Sequence, residues 1–300
     1  MNIYNCSILP TEHLISLVVR SHILSGNKKL TSTATQLNFD VVTSLKAQQF
    51  NNSTLLNMPS SCSDLQCENK LILTHTPAAL WALTTPHEKQ GTWDPTVVYK
   101  REELNQRRLL EFKRSWHFCP ECVLMDKNKN GFSYWHVGHQ LPGVSHCYLH
   151  DVRLRTCSVA LRDLRDVSIP EVHLSINEVT VKQESDFVKW SQFVFLMFKT
   201  LQSNPNKATE WKNKAQQYLN LPTKSTYLNK PLFDARLKEL ENEVESELLS
   251  FLFKFYKKTP ENMINILRIT LTDSGSSSYR NPIYWLVILF WLRDKIGIEV

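Results

Sequence analysis

Three cysteines and a histidine stand near the middle of this chain at spacings that suit a metal. Cys119-Pro-Glu-Cys122 places two soft ligands across two residues, and Cys147-Tyr-Leu-His150 repeats the interval after 24 intervening residues. Two residues between ligands let both donor atoms converge on one ion from a tight turn, with thiolate sulfur at about 2.3 Å from a zinc ion. Two such pairs close a four-ligand shell. A catalytic zinc keeps one position for water, so Cys119, Cys122, Cys147 and His150 predict one structural zinc per chain. No Gly-rich phosphate loop and no nucleophile beside a base can be read elsewhere, which predicts a protein that is not an enzyme.

The residues around the ligands predict how they are held. Residues 126–131, Asp-Lys-Asn-Lys-Asn-Gly, read as a polar turn, and the aromatics Phe132, Tyr134 and Trp135 stand ready to build a small core beside the metal. Of seven cysteines in all, Cys6, Cys62, Cys67 and Cys157 show no second paired spacing, and the start carries no signal peptide. A reducing cytoplasm is the setting this implies.

The chain has 300 residues, 42% of them hydrophobic and 21% charged, enough to bury a core and divide into two or three small domains. Seven glycines among many Leu, Lys, Glu, Asn and Gln favour helix. The expectation is therefore a mainly α protein: helix-turn-helix-like helical domains around a central zinc-finger module. A net charge of +6 permits a local basic face without establishing that nucleic acid is bound.

Taken in order, Thr11 and Glu12 open an amphipathic helix that Gly26 stops. Leu14, Ile15, Val18, Val19 and Ile23 share its apolar face, with Arg20 and His22 off it. Further helices near Leu30 and Val42 complete a helix-turn-helix-like head over residues 1–50. Residues 51–115 form a helical connector in which His75 serves the core or a cap. Within it, residues 101–114 are the densest basic run, with helical leucine spacing, and Arg107, Arg108, Lys113 and Arg114 are its candidate phosphate contacts. The zinc-finger module occupies residues 116–170.

Residues 171–300 read as a helical domain. An apolar core helix covers residues 187–201, another helix covers residues 211–221, and after a break at residues 222–225 a long helix runs from Pro231 to Lys257. Lys224 and Lys230 flank that break, near a helix start where backbone N–H groups and a lysine can hold phosphate. The stretch 239–247 is an acidic, solvated face. Residues 282–292, PIYWLVILFWL, are too few to cross a bilayer and predict a buried helix opened by Pro282.

The run CPEC followed by GFSYWHVGHQLPGVSHCYLHDVRL resembles the zinc-finger core of the TniQ family, the TnsD-like targeting proteins of transposons. Weaker likeness lies in LPTEHLISLVVR at residues 9–20, in His75-Thr76-Pro77, and in NPIYWL at residues 281–286. The resemblance implies a bacterial, non-catalytic target-selection subunit of a DNA transposition system. Its implied partners are target DNA or a CRISPR effector complex on one side and an AAA+ transposition regulator on the other, with no membrane. It further implies that residues 10–26 meet the protein partner, through an exposed face carrying Arg20. Oligomeric state stays open, a homodimer included. Without the resemblance, the residues alone also suit a zinc-stapled helix-turn-helix transcription regulator.

Overall fold

The structure, a computed structural model, describes residues 7–36, 65–84, 110–111, 115–157, 168–173, 186–224, 226, 228–257, 265–272 and 281–298. It is mainly helical, with ten α-helices and one two-stranded sheet among the described residues. The chain divides into two compact units, with the divisions at Ala79–Leu80 and Phe195–Leu196 among the described residues. The first holds the amino-terminal helices and all four candidate ligands.

In the first unit, helix α1 (Leu14–Ser25) begins where His13 Nδ1 accepts the Ile15 N–H, and ends at Gly26 with φ 66°. That left-handed conformation costs a glycine little, so the helix stops there. Leu14, Ile15, Val18 and Val19 are buried together. Ile23, expected on the same face, is instead exposed. Helix α2 (Leu30–Gln36) packs on α1, with the Thr33 hydroxyl meeting His22 Nδ1 at 2.9 Å. Helix α3 (Leu65–His75) adds Ile72 to the same core.

Strand β1 (His117–Phe118) pairs antiparallel with β2 (Arg155–Thr156), His117 opposite Thr156 and Phe118 opposite Arg155. Between them runs α4 (Pro120–Asn130), opened by Pro120 and closed by Gly131 at φ 82°. The polar turn expected at residues 126–131 is thus the second half of a helix. Pro120 pre-sets the first helical φ, and the N–H of Gly131 reaches back to the Lys127 carbonyl, so the polar run stays helical up to the glycine.

Helix α5 (Asp186–Ser203) spans the second division. In the second unit, α6 (Lys207–Leu219) ends at Asn220 in the left-handed region. The long helix expected from Pro231 to Lys257 is two helices, α7 (Lys230–Glu243) and α8 (Ser246–Leu252). The break falls at Val244, which is extended and buried: the gain from seating its side chain replaces a turn of helix. Leu110 and Glu111, expected within a helix, are extended against the end of α8, the Glu111 N–H donating to the Leu252 carbonyl. Helix α9 (Ile266–Leu271) is capped by Asn265, whose side chain accepts the Arg268 N–H. Helix α10 (Ile283–Leu292) follows Pro282, and all ten of its residues are buried, as expected. Among the described residues, no helix is long and apolar enough to cross a membrane.

Candidate metal centre

Cys119 caps α4 and Cys122 lies in its first turn, so one helix start presents two sulfurs to one point. The second pair sits on a tight knuckle. The Cys147 N–H donates to the Val152 carbonyl, the Asp151 N–H to the Cys147 carbonyl, and the Leu149 N–H to the Cys147 sulfur at 3.4 Å. Asp151 takes φ 57°, a conformation Asp tolerates better than most residues, and this turns the chain back.

The four ligand atoms lie within 4.8 Å of one another. His150 Nδ1 is 3.5 Å from Cys119 Sγ, 3.3 Å from Cys122 Sγ and 3.6 Å from Cys147 Sγ, and the Cys122 and Cys147 sulfurs are 3.7 Å apart. The cysteines are buried and His150 is half-buried. This cluster can hold a metal ion.

Three sulfurs so close compete for protons. Hydrogen bonds from Cys119 and Cys122 drive the Cys147 thiol far down. The reciprocal bonds from Cys119 and Cys147, with burial, drive Cys122 far up. Cys119 is pushed up to about 12: its bond with Cys122 lowers it, but its bond with Cys147 and burial prevail. Only one of the three ionises readily unless a cation lies between them, and a divalent cation removes that conflict.

A second layer fixes the ligands. His139 is buried with Nε2 3.8 Å from Cys122 Sγ, and burial holds its imidazole below the ordinary value. Gln140 clamps β1, accepting the His117 N–H at 3.0 Å and donating to the His117 carbonyl at 2.7 Å. Helix α5 holds the knuckle: Trp190 Nε1 donates to the Gly143 carbonyl, Ser191 Oγ accepts the N–H groups of Ser145 and His146, and Gln192 donates to Asp151. Tyr148 stacks on Phe195 with ring centroids 3.5 Å apart. A Cβ on Gly138 would lie 2.5 Å from Tyr148 and 3.0 Å from Phe195, so only glycine fits beneath that pair.

The amino-terminal segment is tied to the same module. The His13 N–H donates to the Trp135 carbonyl, Val137 N–H to the Thr11 carbonyl, and Tyr134 hydroxyl to the Pro10 carbonyl. Asp126 Oδ2 accepts from His136 Nε2 at 2.7 Å, and the other ring nitrogen meets the Thr11 hydroxyl at 3.1 Å. Thr11 holds φ 61°, a strained value for a β-branched residue, which these bonds maintain. His75 donates from Nδ1 to the Glu12 carbonyl at 2.7 Å, a packing role as expected.

Arg20 corrects an expectation. It is 7% exposed, and its guanidinium forks onto both Glu12 carboxylate oxygens at 2.7 Å while also donating to the Ser7 carbonyl. It is an internal strut of this unit and offers no exposed charge to a partner.

Sequence spacing picked out the four residues that the fold brings together as candidate ligands. It missed Glu12, Asp126, His136, His139 and Gln140, whose partners are mostly far along the chain. Their only local signal is polarity beside apolar residues. Of the candidate phosphate contacts, Lys224 is exposed on the loop before α7 and Lys230 is exposed at the first residue of α7; on that loop Asn229 accepts the Thr226 N–H and donates to the Lys224 carbonyl. Arg107, Arg108, Lys113 and Arg114 lie outside the described residues. In comparison with known proteins, no family model and no curated protein matches the chain.

Proposed function

We propose that this protein is a zinc-stapled, non-catalytic target-selection subunit of a DNA transposition system, related to the TniQ family. The observation that carries the reading is the cluster of Cys119, Cys122, Cys147 and His150. Around a tetrahedral zinc, sulfurs at about 2.3 Å stand about 3.8 Å from each other and about 3.6 Å from a ligating nitrogen. The distances of 3.7 Å and of 3.3–3.6 Å in this cluster agree with those edges. Four protein ligands leave no position for water, so zinc supplies a charged cross-link here and no Lewis acid. Further support comes from the segments that carry the family likeness. Residues 9–20 bond to His75 and to residues 134–137 of the run that carries the likeness, all within one unit, as parts of one module would.

In this reading the chain works in a bacterial cytoplasm. It recognises target DNA or a CRISPR effector complex and recruits the AAA+ regulator. Lys224 and Lys230, with Arg107, Arg108, Lys113 and Arg114, supply phosphate contacts if the target is bound directly.

Two measurements test the reading separately. Elemental analysis of purified protein is expected to find one zinc per chain, and folded protein without metal would remove the staple. Affinity purification from the native cell is expected to recover the ATPase and the transposase. A promoter footprint without either partner would replace this reading with that of a transcription regulator.

A further inference from the structure

Three thiolates around a divalent ion leave an excess of negative charge, in a place where Cys119, Cys122 and Cys147 are all buried. Charge of that kind is stable only where hydrogen-bond donors face it. Each sulfur has a nitrogen turned to it. Cys119 Sγ takes the backbone N–H of Cys122, and Cys147 Sγ takes that of Leu149 at 3.4 Å. Both donors come with the turns that bring the ligands together. Cys122 Sγ is met by a side chain, His139 Nε2 at 3.8 Å, and the same imidazole hydrogen-bonds Cys147.

The other ring nitrogen decides where the imidazole proton sits. His139 Nδ1 is buried and meets no hydrogen-bond partner among the described residues. A proton there would have no acceptor, and a bare Nε2 would turn its lone pair on the sulfur anions. A single proton therefore belongs on Nε2, where sulfur accepts it and only an unfilled lone pair is left over. The ring is held in that pose. It sits on the turn Val137–Gln140, after Gly138, which Tyr148 and Phe195 cover, and before Gln140, which clamps His117. His136 and Tyr148 pack on it with ring centroids at 4.9 and 6.0 Å.

Resting on the zinc reading of the cluster, we propose that His139 is a positioning residue for the metal, which keeps its proton on Nε2 and donates it to the Cys122 and Cys147 sulfurs without ligating the ion. By drawing negative charge out of the thiolates, that bond steadies the filled cluster and slows loss of the ion. His139 stays outside the shell because four donor atoms within 4.8 Å of one another already fill it. Its Nε2 also stands further from Cys122 Sγ than His150 Nδ1 does, 3.8 Å against 3.3 Å.

The full zinc-loaded chain, labelled with nitrogen-15, gives the direct test. In its imidazole correlation spectrum His139 should carry a proton on Nε2 and none on Nδ1, a result that needs no substitution and so decides even where a variant does not fold. In competition with a chromophoric chelator, His139→Phe keeps a ring without the donor and should weaken zinc about 10- to 100-fold. His139→Gln should restore most of that, since its amide nitrogen stands as many bonds from Cα as Nε2 does, whereas His139→Asn, which is shorter, should not. A side chain that only fills space would rank Phe above Gln. With cobalt in place of zinc, His139→Phe should keep the visible spectrum of a sulfur-and-nitrogen shell, and His150→Ala should lose it. A proton on Nδ1, equal zinc affinity in the Phe and Gln variants, or a cobalt spectrum that His139→Phe changes as much as His150→Ala does would overturn the inference and leave the zinc site standing. An unsubstituted chain that takes up no metal would overturn the zinc reading and this role with it.

Discussion

The two units of this chain are stabilised in different ways. The second is held by apolar burial: α10 has no exposed residue, and the buried faces of α7, α8 and α9 are made of Leu, Ile and Phe. The first has short regular elements, a sheet of two-residue strands, and a set of specific polar links: the Cys/His cluster, Glu12 with Arg20, Asp126 with His136, Gln140 with β1. Burial tolerates substitution and depends weakly on pH. A network of ligands and paired charges fails when one member is lost, because the partners left behind are already desolvated.

The largest effect expected is on removing the metal or one thiolate. Structural zinc in small modules carries about 10–16 kcal/mol of apparent binding free energy that is also folding free energy. A strong chelator or Cys122→Ser should therefore abolish the near-ultraviolet signal of Trp116 and Trp135 and the amide protection of α1. Amides of α10 should stay protected. Simultaneous loss in both units would break the comparison.

Glu12→Ala comes next, since it strands a buried guanidinium at a cost of about 3–5 kcal/mol. Arg20→Glu should do at least as much, by setting two carboxylates together. Urea unfolding followed by tryptophan fluorescence reads the loss, and the metal content in native buffer should match that of the unsubstituted chain. Leu286→Ala probes the other unit, where a buried Leu truncation costs about 2–5 kcal/mol. Its exchange protection should fall in α10 while zinc affinity is unchanged. Gly138→Ala should cost about 1–3 kcal/mol by overpacking against Tyr148 and Phe195, seen as a lower melting temperature of the first unit alone.

Acid is expected to separate the units most gently. Burial pushes His117 from 6.5 down to about 4 and also lowers His139. A depressed imidazole contributes stability that is present above its unfolded value and is lost as pH falls through the folded one. The first unit should thus weaken between pH 6.5 and 4. In the second unit burial raises the Glu241 carboxyl above 4.5, so its contribution is present below 4.5 and is lost as pH rises through the raised value. Exchange measured by region between pH 7 and 5 should show α1 loosening first, and Glu241→Gln should flatten the pH dependence of the second unit only.

What the amino-acid sequence determined by itself is what short range controls. Two Cys/His pairs with two residues inside each pointed to the candidate metal cluster, because bite distance is a property of a single turn. Gly26 ended α1 and Pro282 opened α10 through their own φ preferences, and the unbroken apolar run 283–292 had to be buried. Tertiary structure decided the rest. Arg20 sits off the apolar stripe of α1 and reads as solvated, yet Glu12 and the backbone around it supply the pairing that makes its burial affordable. Val244 follows the fourteen residues of α7, and a core position elsewhere in the fold, not its own propensity, makes it extended. Asp126 and His136 are ten residues apart, and the bond between them exists because α4 and the segment after Gly131 fold back on each other. Local preferences differ by less than about 1 kcal/mol per residue, and burial or pairing of one group outweighs several of them.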